Sequence, residues 1–267
     1  MTLAPSATAS VLGCLGLEKA FGGNKAVNGA EFNVPAGMIT ALIGPNGAGK
    51  STVVNLLSGF MAPDAGSVQL DGRQVTGWPA HRIARHGLIR SFQLSRELQG
   101  LTVLENLLVA PARQVGESLF NIYFRPGLVR RAERANIERA LQVLSDFGLY
   151  RVRDNWAREL SGGQKRLLEL ARAVMAGPRV LLLDEPMAGV NPALIDQLGE
   201  HIIRLKADGV TIVMVEHNLG IVERICDHVV VLAEGRTLAT GRMSELRENA
   251  AVVKAYLGGV LDARLDS

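Results

Sequence analysis

Short continuous runs of apolar residues alternate along this chain with segments in which apolar residues recur three and four positions apart. The continuous runs are typical of strands buried on both faces of a sheet, and the spaced residues are typical of helices that pack by one face. The predicted strands are Val11–Leu17, Met38–Ile43, Ser67–Leu70, Val180–Leu183, Val210–Val215 and Val229–Leu232. The predicted helices are Lys50–Phe60, a segment that includes Leu167–Met175 and ends before Gly177-Pro178, and Pro192–Ala207.

Strands that alternate with helices predict an α/β protein whose parallel sheet is covered on both sides. The stretch from Phe92 to Leu160 departs from this alternation. Leu101–Ala112 and Arg130–Phe147 have helical patterns, and no strand-like run separates them. We therefore expect a helical subdomain inserted into the α/β core.

Composition narrows the class of protein. The 267 residues are 48% hydrophobic and 21% charged, with 29 glycines, which excludes collagen-like, coiled-coil and intrinsically disordered chains. Cys14 and Cys226 are too few for a disulfide framework or a four-ligand zinc site, and they fit packed side chains in a reducing compartment. The longest charge-free stretch, Phe32–Gly49, is interrupted by prolines and glycines, and Met1–Leu17 lacks the basic residues of a signal peptide. The chain is expected not to span a membrane by itself, although a partner can hold it against one.

The formal net charge of +3 is a small bias for this length. Basic residues cluster between Arg125 and Arg139, where they face Glu133 and Glu138. A solvated helix face is the favoured interpretation, with a phosphate contact or a docking patch as the alternative. No aromatic residues interleave with the cluster, so no nucleic-acid partner is expected.

The segment from Gly44 to Ser51 matches the pattern G-x-x-x-x-G-K-S/T, between a predicted strand and a predicted helix. Glycines let consecutive backbone N–H groups turn towards an anionic phosphate, and the positive end of the helix adds to the attraction. Lys50 would reach the β- and γ-phosphates, and Ser51 would place its hydroxyl on Mg²⁺. The pattern predicts a nucleoside triphosphate site.

Two carboxylates, Asp184 and Glu185, follow the apolar run that begins at Val180. The carboxyl edge of a parallel sheet is where ligands bind in such folds. Asp184 suits a direct or water-mediated contact with Mg²⁺, and Glu185 suits polarising a water for in-line attack. Together with the glycine-rich loop, they favour triphosphate hydrolysis.

A second helix start that suits an anion occurs at Leu160-Ser161-Gly162-Gly163-Gln164. Ser161 alone is also explained as a helix cap, but two adjacent glycines weaken that explanation. One chain with two helix starts that can bind phosphate suggests a site shared between the subunits of a head-to-tail dimer.

On these residues the chain resembles the ATP-binding subunits of ABC transporters over nearly its whole length. The resemblance implies a P-loop NTPase (RecA-like) core with a mainly parallel sheet, an N-terminal antiparallel β part and an inserted α-helical subdomain. It implies one ABC ATPase domain over residues 1–267. The expected parts are the nucleotide-binding core (1–92 and 165–245), the helical subdomain that carries the signature motif (93–164), and a C-terminal helix and tail (246–267).

The resemblance also implies roles for single residues. LSGGQ is similar to the family's signature motif, which contacts the γ-phosphate bound by the opposite subunit. Gln93 resembles the Q-loop glutamine that contacts Mg²⁺ and water, and His217 resembles the switch histidine that touches the γ-phosphate. The expected catalytic residues are Glu185, His217 and Gln93, and the expected metal contacts are Ser51, Gln93 and Asp184. The expected nucleotide-binding residues are Phe21, Gly44, Pro45, Asn46, Gly47, Ala48, Gly49, Lys50, Ser51, Thr52, Ser161, Gly162, Gly163 and Gln164.

Phe21 occupies the position where the family stacks an aromatic ring on adenine. Many members have tyrosine there, and phenylalanine keeps the π-face without the hydroxyl. A core phenylalanine is the competing interpretation.

The loop after Pro186 departs from the general family pattern, since Asn191 stands where many members have aspartate. Its Gly-Val-Asn-Pro sequence resembles the subfamily that imports branched-chain amino acids. Similar cues are Arg90-Ser91-Phe92-Gln93, Leu101–Asn106, the extended region from Asn106 to Arg130, and Ala255-Tyr256-Leu257-Gly258.

The resemblance implies an ATPase subunit of an ABC importer, driven by ATP-dependent dimerisation and using ATP and Mg²⁺. Its expected partners are a second ATP-binding subunit (identical or related), membrane permease subunits that contact the surface near Gln93 and Leu94–Glu105, and indirectly a periplasmic solute-binding protein. The expected location is the cytoplasmic face of the inner membrane. The alternatives are an ABC transporter for another solute such as urea, an amide or another amino acid, a lipid or lipopolysaccharide exporter, a soluble ABC protein of translation or repair, and a nucleotide sensor without turnover.

Overall fold

The computed structural model describes residues 10–91, 96–111, 116 and 119–255. The strands are β1 (Ser10–Phe21), β2 (Asn24–Pro35), β3 (Ile39–Ile43), β4 (Ala65–Leu70), β5 (Arg73–Gln74), β6 (Leu88–Arg90), β7 (Val180–Asp184), β8 (Thr211–Val215), β9 (His228–Ala233) and β10 (Arg236–Gly241). The helices are α1 (Lys50–Leu57), α2 (Ala80–Arg85), α3 (Val103–Leu108), α4 (Leu119–Phe124), α5 (Pro126–Asp146), α6 (Gly162–Met175), α7 (Pro192–Ala207), α8 (Leu219–Ile225) and α9 (Met243–Leu246).

These strands form two sheets. One has the order β2-β1-β4-β5 and is antiparallel. The other has the order β10-β9-β3-β8-β7-β6, and its central pairs β9-β3, β3-β8 and β8-β7 are parallel. Parallel strands need crossover connections, which the intervening helices supply. This α/β fold with an antiparallel N-terminal part confirms the predicted fold class.

The central strands are buried on both faces, as their continuous apolar runs predict. Successive side chains of a strand point to opposite faces. Leu42 and Val230 accordingly lie in a hydrophobic cluster with β1, β2 and α1. Their neighbours Ile43 and Val229 lie in a second cluster with residues of α8 and α9. The core therefore fixes β3 and β9 from both sides, which gives the ends of these strands a rigid support.

The chain divides into two compact units. The first comprises the described residues of Met1–Leu88, Arg179–Met187 and Ile202–Ser267, and the second those of Ile89–Pro178 and Ala188–His201. In the second unit α3 and α5 pack against α6, and α4 packs against α5. The sequence-based division ended the helical part at residue 164, before most of α6. The periodicity of α6 locates its apolar face but not the helices that cover it.

Several element boundaries differ from the sequence-based ones. The helix predicted to reach Phe60 ends at Leu57, because Gly59 has a φ of 72°. The helix predicted from Arg130 begins at Pro126, a residue type that favours the first helical turn. The helix predicted over Leu101–Ala112 is described as Val103–Leu108, and Ala112 lies outside the described residues. The subfamily cue at Tyr256–Gly258 also lies outside them.

The cysteines and the basic cluster fit their favoured interpretations. Burial raises the pKa of both thiols, Cys14 and Cys226, to about 12, so they are packed and unreactive. The arginine side chains of the basic cluster from Arg125 to Arg139 are exposed, which both a solvated helix face and the alternative of a phosphate contact or docking patch require. Among the described residues, no helix combines the length and apolar character needed to cross a bilayer.

Candidate functional site

The glycine-rich loop connects β3 to α1 at the carboxyl edge of the parallel sheet. Gly47 and Gly49 have φ angles of 78° and 92°, which residues with a side chain rarely adopt. A Cβ on Gly49 would lie 2.3 Å from the carbonyl oxygen of Ala26. The loop thus turns tightly against the start of β2, and only glycine fits at position 49.

The start of α1 is left open to a ligand. The first N–H groups of a helix have no partner within the helix. The N-cap residue Gly49 has no side chain to bind them, and no acidic residue occupies the first turn. Ser51 is exposed at this end, and Thr52 is half-buried. The helix start therefore offers backbone donors and a partial positive charge to an anion.

Lys50 places its ammonium inside the loop. Its side chain is buried, and its Nζ donates to the carbonyl oxygens of Gly44 at 2.8 Å and Pro45 at 2.9 Å. Burial lowers the pKa of Lys50, while the Glu185 carboxylate acts in the opposite direction. A buried ammonium held mainly by neutral carbonyls is not fully compensated, so a polyanionic ligand would stabilise its charged form.

An open pocket of about 600 Å³ lies over the loop. All its lining residues belong to the first compact unit. They are Asn24, Lys25, Ala26, Asn46, Gly47, Ala48, Gly49, Lys50, Ser51, Thr52, Glu185, His217 and Glu234. The pocket therefore joins the glycine-rich loop to Glu185 and His217, which lie far apart in the sequence.

Parallel pairing of β7 with β8 brings Glu185 and His217 together. The register pairs Asp184 with Val215, so Glu185 and His217 follow two neighbouring strand ends. Glu185 Oε1 lies 2.8 Å from His217 Nε2, and each side chain is 45% exposed. The backbone of Glu185 has a φ of 49°, a left-handed conformation that is uncommon outside glycine. The pair faces the pocket in a fixed but solvent-accessible arrangement.

Glu216 belongs to this site and was missed by the sequence reasoning, which considered only the adjacent His217. Its side chain is 5% exposed and accepts backbone hydrogen bonds from Met187, His217 and Asn218. Burial raises the pKa of the Glu216 carboxyl, and the three N–H donors oppose that rise. A carboxylate immediately after an apolar strand was the available signal.

Ser161 and Gln164 form a capping box at the start of α6. Ser161 Oγ accepts from the N–H of Gln164 at 3.2 Å, and Gln164 Oε1 accepts from the N–H of Ser161 at 3.0 Å. A Cβ on Gly163 would lie 2.8 Å from Leu194 Cδ2 of α7, so a side chain there would require the Leu194 side chain to move. Gly162 is exposed, and a Cβ there would contact nothing within 4 Å. Gly162 therefore has no packing role. Because it has no side chain, the backbone at the start of α6 is accessible to a ligand.

Phe21 ends β1 and pairs with Asn24, which lines the pocket. Its side chain is 49% exposed, so the competing interpretation as a core phenylalanine is wrong. Asn191 Oδ1 accepts from the N–H of Leu194 at 2.9 Å and caps the start of α7. Gln93 lies outside the described residues.

Comparisons with known proteins agree with this geometry. A model of the family described as "ABC transporter" matches residues 27–188, which include the glycine-rich loop, the LSGGQ segment and Glu185. This chain belongs to the ABC transporter family. It is an ABC-type ATPase, since the ATP-binding cassettes of this family hydrolyse ATP. Such cassettes work as dimers with membrane permease subunits.

Individual relatives of this ABC ATPase cover most of its length. It is 42% identical to the high-affinity branched-chain amino acid transport ATP-binding protein BraF of Pseudomonas aeruginosa, over 93% of this chain and 98% of the relative. It is 40% identical to the corresponding LivG protein of Escherichia coli, over 91% and 96%. The ADP conformation of MJ1267, an ATP-binding cassette of an ABC transporter, matches with a TM-score of 0.80 and 36% identity, over 94% of this chain and all of that one.

Replacing Gly49 with alanine is expected to weaken ATP binding by tenfold or more. A left-handed conformation costs about 1–2 kcal/mol for a residue with a side chain. At Gly49 the added Cβ also collides with the Ala26 carbonyl, so the loop must move. Gly47→Ala is the matched control, because it shares the positive φ but has no atom within 4 Å of the new Cβ. Titration with a fluorescent ATP analogue measures both, and equal losses would contradict a role for the close contact.

Proposed function

We propose that this ATPase binds ATP with Mg²⁺ in the loop pocket and powers an importer of branched-chain amino acids. The observation that carries the proposal is that the glycine-rich loop, including Lys50, lines the same pocket as Glu185 and His217. The names of the BraF and LivG relatives support the solute class. The roles below follow from what each side chain can contact.

The loop and α1 would hold the triphosphate. Backbone N–H groups at the start of α1 would donate to phosphate oxygens, and Lys50 would exchange its carbonyl partners for the β- and γ-phosphates. Burial disfavours the charged form of Lys50, and a bound anion would stabilise that form. The exposed ring of Phe21, beside the pocket-lining Asn24, suits stacking on adenine.

The donor set fits Mg²⁺. A hydroxyl, a carboxylate and phosphate oxygens are its usual ligands in nucleotide sites. Ser51 is exposed at the start of α1, and α1 packs against β7, whose last residue is Asp184. Ser51 and Asp184 would hold the ion, with Gln93 as the further contact implied by the resemblance. When bound, Mg²⁺ neutralises charge on the β- and γ-phosphate oxygens.

Glu185 and His217 would act on the attacking water. The Glu185 carboxylate can accept a proton or orient the water, because it is partly exposed and lines the pocket. His217, 2.8 Å away, would fix its rotamer and contact the γ-phosphate. Phosphoryl transfer needs positioning and charge neutralisation more than covalent chemistry, and this group of residues can supply both.

The start of α6 would complete the site of a second subunit. Ser161–Gln164 belong to a different compact unit from the pocket residues. The bare helix start at Gly162 supports close approach of a phosphate, and the Ser161 hydroxyl can exchange its local cap for that anion. We infer that ATP joins two subunits by bridging the loop of one to the signature segment of the other.

The remaining assignments extend this proposal. The partners are a second ATP-binding subunit, permease subunits that contact the surface near Gln93 and Leu94–Glu105, and indirectly a periplasmic binding protein. The location is the cytoplasmic face of the inner membrane. Asn191 caps the start of α7. This contact supports the view that the loop after Pro186 stabilises its own helix and does not present a charge to the other subunit of the dimer.

Reconstitution tests the solute assignment. The chain is assembled in proteoliposomes with permease subunits of a branched-chain amino acid importer, and ATP hydrolysis is measured with leucine-loaded or urea-loaded binding protein. We expect leucine to stimulate hydrolysis several-fold, which corresponds to an activation free energy lower by about 1 kcal/mol. Stimulation by urea alone would identify another solute class. Nucleotide binding without hydrolysis, with or without the permease, would contradict the ATPase assignment.

A further inference from the structure

Glu216 is the one buried carboxylate in direct contact with the backbone of both turns that carry Glu185 and His217, among the residues that the structure describes. Its Oε1 accepts from the N–H of Met187 at 3.2 Å, two residues beyond Glu185. Its Oε2 accepts from the N–H of His217 at 3.1 Å and, at 3.4 Å, from that of Asn218. One side chain therefore ties the two turns together.

We propose that Glu216 is a positioning residue that sets the distance and orientation between Glu185 and His217. The inference rests on the proposed roles of those two residues. Glu216 is buried and does not line the pocket, so it would act through Glu185 and His217 rather than on the nucleotide.

The local geometry shows why a bridge is needed. The sheet holds the two turns only up to the strand ends, where Asp184 pairs with Val215 and the N–H of Glu185 donates to the Val215 carbonyl at 3.1 Å. Beyond that point Glu185 has the left-handed φ of 49°. Both side chains of the Glu185–His217 pair are nearly half exposed, so packing does little to hold them. The Glu216 bridge supplies the missing constraint.

The chemistry of a carboxylate suits this task. Three N–H donors converge on two oxygens, and a carboxylate has enough acceptor sites for all of them and no donor of its own. Hydrogen bonds from N–H groups to a charged acceptor are stronger than neutral ones. Glutamine has the same size but turns one oxygen into an NH₂ group, which would face a backbone donor.

Glu216→Gln tests the proposal. We expect kcat for ATP hydrolysis to fall by tenfold or more, while the KM for ATP changes little and the melting temperature falls by a few degrees, because a buried N–H group loses its acceptor. An interaction made only in the transition state has this signature. Glu169→Gln is the matched control, because Glu169 is also a buried carboxylate, 9% exposed, but its partner is Arg166 of its own helix. The control is expected to keep kcat within twofold. An unchanged kcat in Glu216→Gln would overturn the proposal.

A double-mutant cycle separates positioning from a general structural role. In a background that carries both Glu185→Gln and His217→Ala, adding Glu216→Gln is expected to cost less than twofold more in kcat, because both residues through which it acts are already impaired. A full additional tenfold loss would mean that Glu216 acts independently of Glu185 and His217, and would overturn the inference. Glu216→Asp is the second variant should Glu216→Gln not fold. It keeps the charge but is one methylene too short to hold Met187 and His217 together, so its kcat is expected to fall at least threefold, and full activity would also overturn the inference.

The wild-type chain distinguishes this inference from the proposed function. If the wild type fails to hydrolyse ATP, the proposed function fails. If the wild type turns over and Glu216→Gln equals it, only the role of Glu216 fails.

Discussion

Replacing Glu185 with glutamine is expected to lower ATP turnover by about 10²–10⁴-fold, the usual size of a general acid–base contribution. The substitution keeps the side-chain volume and removes the carboxylate that lies 2.8 Å from His217 Nε2. ATP binding should survive, because the loop amides and Lys50 are unchanged. The measurement is the rate of phosphate release at saturating ATP, beside the affinity for ATP.

Glu223→Gln is the control for this prediction. Glu223 lies on α8, pairs with Arg247 on the surface and does not line the pocket. Its loss should leave turnover within twofold. Full turnover by Glu185→Gln would remove Glu185 from the mechanism.

Replacing Ser161 with arginine is expected to abolish ATP-driven dimerisation and lower turnover at least 100-fold, a loss of about 3 kcal/mol in transition-state stabilisation. Arginine fills the exposed helix start beside Gly162, where a phosphate of the other subunit would lie. The isolated subunit should keep its ATP affinity within twofold, because Ser161 does not line its pocket. Size-exclusion chromatography with ATP in the Glu185→Gln background reports dimerisation.

Ser161→Ala separates the cap from the proposed contact. Loss of a serine cap costs about 1 kcal/mol of stability and leaves the helix start accessible. We expect Ser161→Ala to dimerise with ATP, although more weakly. Equal loss of ATP affinity and dimerisation in Ser161→Arg would argue that the signature segment serves the site of its own chain.

The parts of the fold that are predictable from sequence are those with strong periodicity. The runs at Val180–Leu183 and Val210–Val215 predict buried strands because both of their faces are apolar, and β7 and β8 lie there. The glycine-rich loop is predictable because its chemistry requires glycines at a fixed spacing, followed by lysine and serine, between a strand and a helix.

Other elements depend on distant partners. β2 (Asn24–Pro35) has polar residues along much of its length, and it forms a strand because β1 pairs with it and β10 contacts it. β10 shows alternating exposed and half-buried residues and lies at a sheet edge. At such positions the neighbouring strands determine whether a segment forms a strand, and the sequence pattern does not show which strands those are.

The candidate site shows the same division. Lys50, Glu185 and His217 are predictable by motif, and the structure places all three around one pocket. The role of Glu216 depends on its contact with Met187, 29 positions away, which only the register of β7 on β8 creates. The sequence marks Glu216 only as a carboxylate that follows an apolar run, whereas its burial and its contact with Met187 depend on the fold.

The most direct test mixes two inactive variants, Glu185→Gln and Ser161→Arg. If each site combines the loop of one subunit with the signature segment of another, a mixed dimer regains one intact site. Turnover is then expected to rise severalfold above that of either variant alone. About a quarter of the wild-type rate is the upper bound, which random pairing would give, because half of the dimers would be mixed and each would have one intact site of two. Turnover no higher than that of the separate variants would contradict a site shared between subunits.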